Sequence, residues 1–77
     1  MIKVKYTSSV ERITEITPKN TTVYDFLEEH GGIPMGATLS MNGVPFGSTD
    51  ELYCTFDELT NGADNCILYA LVKTDQN

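Results

Sequence analysis

The sequence predicts an α+β domain in which a sheet of four to five strands packs on one helix. Three observations lead to it. The amino-terminal "IKVKYT" alternates apolar and polar residues with the period of a half-buried strand. The central "NTTVYDFLEEHGG" changes to the 3.6-residue period of an amphipathic helix. The closing run Cys66 to Val72 is apolar at every position, without the alternation of a strand that has one wet face.

In chain order, the first strand places Ile2, Val4 and Tyr6 on one face and Lys3 and Lys5 on the other. After the polar "TSS", the β-branched "VERITEIT" reads as a returning strand ended by Pro18. Ile13 and Ile16 stand three apart, so either a bulge intervenes or one of them faces outward. In the helix, Val23, Phe26, Leu27 and His30 form one stripe, with Tyr24, Asp25, Glu28 and Glu29 on the other side. Thr22 with Asp25 has the spacing of a capping box, and the acid suits the positive helix end. Gly31 supplies a left-handed cap, Ile33 closes a hydrophobic contact beneath it, and Pro34 blocks continuation.

"ATLSMNGVPF" predicts a hairpin with Leu39 and Met41 facing one way, Thr38 and Ser40 the other. Asn42-Gly43 fits a two-residue turn that needs positive φ at both positions. Pro45 cannot donate to a ladder, which assigns the short strand after the turn to an edge. In "STDELYCTFDELTNGADN", Ser48 with Glu51 and Thr55 with Glu58 have capping-box spacing. One or two helical turns there tuck Leu52, Phe56 and Leu59 under the sheet. The last strand runs from Cys66 to Lys73, and 73–77 is a short polar tail.

Seventy-seven residues make a single domain over 1–77, near the size at which one core yields only a few kcal/mol of net stability. An apolar content of 40% with three prolines suits a folded chain rather than a disordered one. The amino terminus turns polar by Thr7 and lacks the apolar run of a signal peptide, and no run approaches a membrane span. These features predict a soluble cytoplasmic protein with no membrane partner and with Cys54 and Cys66 reduced. A net charge of −6 opposes nucleic-acid binding. The charges are unevenly placed: Lys3, Lys5, Arg12 and Lys73 lie in strand-like segments, while the acids crowd the middle of the chain.

The order of elements resembles the ubiquitin-like β-grasp family over essentially the whole chain. The particular marks are a first hairpin ending in "EITP", a helix leaving through "GGIP", a turn at "MNGVPF", a "TFDEL" turn and a final strand ending in a basic residue. The short helix "TTVYDFLEEHG" is similar to that of the sulfur carriers of thiamin and molybdopterin synthesis. For these elements the resemblance implies a mixed sheet of strand order 2-1-5-3-4, its first and last strands parallel at the centre and its helix on one face only. It thereby accounts for the unbroken apolar run, since a central strand meets the helix on one side and offers the other to a partner.

Lys73 sets the parity of that strand, because an unpaired lysine is costly to bury. With Lys73 outward, Ile67, Tyr69 and Leu71 are outward too, while Cys66, Leu68, Ala70 and Val72 meet the helix; the small Ala70 permits its close approach. The expected partner-binding face is therefore Ile67, Tyr69 and Leu71 ringed by Lys3, Lys5 and Lys73, with Thr38 and Ser40 beside them. Ubiquitin's recognition patch has an isoleucine where this chain has Ser40, so ubiquitin's partners do not transfer.

Conjugated and sulfur-carrying relatives act through a flexible tail ending in Gly-Gly. "VKTDQN" contains no glycine, and Gly31-Gly32 lies mid-chain at the helix end. The expected function is a non-catalytic ubiquitin-like interaction module that binds a protein partner through the open sheet face, as a monomer or weak homodimer. The alternative is a ubiquitin-like modifier or sulfur-carrier protein with an atypical carboxyl terminus. No catalytic residue, cofactor or metal site is expected. The iron–sulfur β-grasp proteins need four cysteine ligands and two cysteines are present. Cys54, His30 and Asp57 have the residue types of a nucleophile, base and orienting acid, yet His30 falls on the apolar helix stripe, where it packs. The acidic connection lacks EF-hand spacing, and no phosphate-binding motif occurs. Cys66 reads as inert core, and Cys54 leaves room for a redox role. The apolar strip also has a plainer reading, covered by the tail or a second copy, or simply scattered surface apolar groups.

Overall fold

In the first hairpin the β-branched and alternating residues pair from Ile2 with Thr17 to Thr7 with Arg12 without interruption, which resolves the second strand: no bulge intervenes and Ile16 faces outward. The computed structural model describes residues 1–72, so Lys73 and the tail 73–77 lie outside the described residues. The elements are β1 (Ile2–Ser8), β2 (Arg12–Thr17), α1 (Val23–Glu29), β3 (Ala37–Met41), β4 (Val44–Pro45), a 3₁₀ turn (Thr49–Tyr53), α2 (Phe56–Thr60) and β5 (Asn65–Val72). The strands form one mixed sheet in the order β2-β1-β5-β3-β4, with β1 and β5 parallel and the other pairs antiparallel. The molecule is thus a small α+β domain. Its connection forms a true second helix, α2, where a single helix with extra turns was expected.

The local chemistry explains most element ends. Ser8 closes the first hairpin by accepting from the backbone N–H groups of Val10 and Glu11. Thr22 caps α1 by accepting from the Asp25 N–H at 3.1 Å. At the other end the N–H groups of Gly31 and Gly32 donate to the Glu28 and Leu27 carbonyls, the pairing of a Schellman motif. Gly31 and Gly32 both have positive φ, 94° and 87°. Two left-handed residues in succession redirect the chain, and Ile33 remains 37% exposed rather than sealing the helix end.

Asn42 and Gly43 have φ of 53° and 84° and make the tight turn between β3 and β4. Asn42 also accepts, through Oδ1, from the Ile67 N–H at 2.9 Å, fixing the turn to β5. Ser48 makes no side-chain cap, contrary to its spacing. Glu51 instead accepts from the Gly47 N–H at 2.6 Å, so the carboxylate that would complete the box is used one residue earlier. Thr55 and Glu58 form the complete reciprocal box that starts α2. Backbone bonds from Phe56 to Thr21 and from Asp57 to Lys19 tie α2 to the segment entering α1.

The core lies between the sheet and the helices. Ile2, Val4 and Tyr6 of β1 and Leu68 and Ala70 of β5 meet Val23, Phe26 and Leu27 of α1, all at 1% exposure or less. Phe26 makes edge-to-face contacts with Tyr6 at 5.6 Å and with Phe56 at 5.5 Å, which locks both helices over the same side of the sheet.

Candidate functional site: the outer sheet face

Strand alternation and register place the outward residues without ambiguity, because directly paired residues share a face. Lys3 lies between Ile16 and Asn65, Lys5 between Thr14 and Ile67, and Thr7 between Arg12 and Tyr69. On the far side of β5, Ser40 stands beside Tyr69 and Thr38 beside Leu71. Ile16, Ile67 and Leu71 are 54%, 39% and 44% exposed, whereas Cys66, Leu68 and Ala70, which alternate with the β5 pair, are buried; Val72, expected to meet the helix, is instead 40% exposed at the end of the strand. Both described helices and the core cluster occupy the opposite side.

Of the residues expected on this face, Lys3, Lys5, Ser40, Ile67, Tyr69 and Leu71 are brought together. Lys73 lies outside the described residues. Their arrangement differs from the expected basic rim. Because β2 covers the outer edge of β1, Lys3 and Lys5 form a row inside the sheet, with Ile16 on one side and Ile67, Tyr69 and Leu71 on the other. Arg12, Thr14 and Ile16 join the face although the sequence reading did not place them there. The signal was the turn itself: once Ser8 closes on Glu11, Arg12 must stand opposite Thr7.

A shallow depression of about 330 Å³ opens on this face. Lys5 and Thr7 of β1, Arg12, Ile13 and Thr14 of β2, and Ile67 and Tyr69 of β5 line it. Two cations, several hydroxyls and an apolar floor therefore converge at the junction of three strands. Glu11 and Glu15 do not contribute to this face. Glu15 shares the inner parity of β2 and its carboxylate stands 3.0 Å from His30 Nε2, while Glu11 is 3.7 Å from Nδ1. The Nε2 contact is close in distance but off the line of a hydrogen bond.

His30 packs against Phe26 and Tyr6, with ring centroids 4.6 and 5.8 Å away, in agreement with its position on the apolar stripe. Cys54 lies at the other end of α1, where its carbonyl accepts from the Val23 N–H. Cys54, His30 and Asp57 are therefore not assembled as a catalytic group. Cys66 lies under the outer face, and burial pushes its thiol up to about 11. Among the described residues no group of three or more His, Cys, Asp or Glu is placed to hold a metal ion. Among the same residues no helix is long and apolar enough to cross a membrane.

The fold and the face together define a small α+β domain with one side of a mixed sheet covered and the other open. No protein-family model matches the chain, and no curated protein or solved structure matches it.

Proposed function

We propose that this chain is a non-catalytic, ubiquitin-like β-grasp module that binds a protein partner through the open sheet face, acting as a monomer or weak homodimer. The strand order, the parallel β1–β5 pair at the centre and the helices on one side support the β-grasp reading. The functional reading rests on one observation: Ile16, Ile67 and Leu71 stay exposed on a face whose other positions on β1, β2, β3 and β5 are polar or cationic. Apolar groups set among polar ones have the composition of a modest protein interface. The backbone beneath them is hydrogen-bonded into the sheet, so binding orders few groups and costs little conformational entropy. Lys3, Lys5, Ser40, Ile67, Tyr69 and Leu71 form this interface, and Arg12 and Ile16 extend it across β2.

Replacing Ile67 and Leu71 together by Asp tests the proposal. The double variant keeps its far-ultraviolet circular dichroism, since both side chains point away from the core, and loses about tenfold or more in affinity for partners captured by the native chain. Undiminished binding by a folded double variant rejects the open-face assignment.

A further inference from the structure

The open face opposes the rest of the molecule in charge. The chain carries a net −6, yet the outward strand positions include Lys3, Lys5 and Arg12 and no acid. The acids of the described residues lie on the other side of β2, on the helices, and in the connections. Lys19, the remaining described cation, is held by Asp64 at 3.0 Å, away from this face.

Lys5 and Arg12 are diagonal neighbours across β1 and β2, a spacing of roughly 7–8 Å that long side chains span easily. Both line the depression floored by Ile67 and bounded by Tyr69, Thr7 and Thr14. The Arg12 guanidinium offers a fork matched to a carboxylate, and Lys5 a point charge beside it. The next column of the sheet supplies the apolar contacts Ile67 and Leu71.

We infer that the partner presents an acidic segment, with Asp or Glu carboxylates over Lys5 and Arg12 and an adjoining apolar side chain on Ile67 and Tyr69. This inference rests on the open-face reading and adds the chemistry of what binds there. Charge complementarity favours such a segment over the other occupants. A nucleic acid extending past this small cationic area meets the acidic remainder of the molecule and is repelled. Two copies pairing face to face bring like charges together, since a two-fold contact repeats the same patch. A short acidic segment satisfies the cations and avoids both penalties.

The test is selection of short random peptides on the immobilised full chain and on the folded variants K5E/R12E, K5Q/R12Q and I67D/L71D, with a single-stranded oligonucleotide pool in a parallel arm. The native chain enriches peptides that join acids to an apolar residue. Their affinity falls with added salt, drops roughly tenfold on K5Q/R12Q and further on K5E/R12E, and is lost on I67D/L71D. Enrichment of neutral or basic peptides overturns the inference, as does undiminished binding of acidic ones to K5E/R12E, preferential retention of oligonucleotides, or no enrichment at all. Neutral peptides that bind the native chain and K5E/R12E but not I67D/L71D leave the open face standing and remove only its acidic partner. Peptides indifferent to all variants remove both.

Discussion

Cys66 is 3% exposed on the covered side of β5, and its surroundings are apolar. Burial raises its thiol from 9.0 to about 11, and burial likewise raises the Tyr6 hydroxyl, against a lowering hydrogen bond from Ser8 and with a smaller push from Glu11. Both groups are neutral in the folded chain where the unfolded chain has begun to ionise. Their contribution to stability is therefore complete below pH 9.0, the unfolded value for the thiol, and is lost as pH rises through about 11. Denaturant titrations across that window are expected to show stability falling, with Cys66 alone accounting for on the order of 2 kcal/mol. Cys66→Ala lowers stability at neutral pH but flattens the alkaline slope; an unchanged slope contradicts this assignment. That Cys66 is inert core was legible from strand parity. That His30 lies between Glu11, just before β2, and Glu15 within it was not, because it depends on a register the sequence left open.

At the scale of elements, α2 depends on a cap as much as on its single fully buried residue, Phe56. Its five residues are too short to hold as a helix without tertiary contacts, and Thr55 supplies both the reciprocal box with Glu58 and the bridge to Thr22 at the start of α1. Thr55→Ala is expected to cost about 1 kcal/mol, read as a lower urea midpoint with an unchanged m-value. Ser48→Ala, which removes no cap, is the matched comparison and is expected to be near neutral. The sequence indicated which elements exist wherever burial imposes a strict period: β1, α1 and the inner side of β5 follow theirs. It left β2 open because that edge strand carries an isoleucine on each face, Ile13 packed inward beside Tyr6 and Ile16 outward beside Lys3, so apolar character alone does not give its parity. The Ser48 and Ile33 expectations failed for local reasons. Glu51 found a nearer donor, and a second left-handed glycine turned the chain.

For the whole molecule, one side of the sheet is sealed by helices and the other presents three apolar groups around a cationic row, in a chain that is acidic elsewhere. The β5 part of that face was readable, since the sequence position of Lys73 and the small Ala70 set the parity of the strand, whereas its β2 part, Arg12, Thr14 and Ile16, was not. Its layout was not: a basic rim and a basic row use the same lysines and differ only in where β2 lies. Whether a partner sits on this face is decided by a photo-crosslinking residue placed at position 67 and, separately, at position 57, in the cells that make the protein. Position 67 is on the open face, and position 57 is an exposed site on α2 outside the Thr55–Glu58 cap. Adducts are expected from 67, competed away by unlabelled native chain and reduced by K5E/R12E, with none from 57. Adducts from 57 and none from 67 would overturn the open-face assignment.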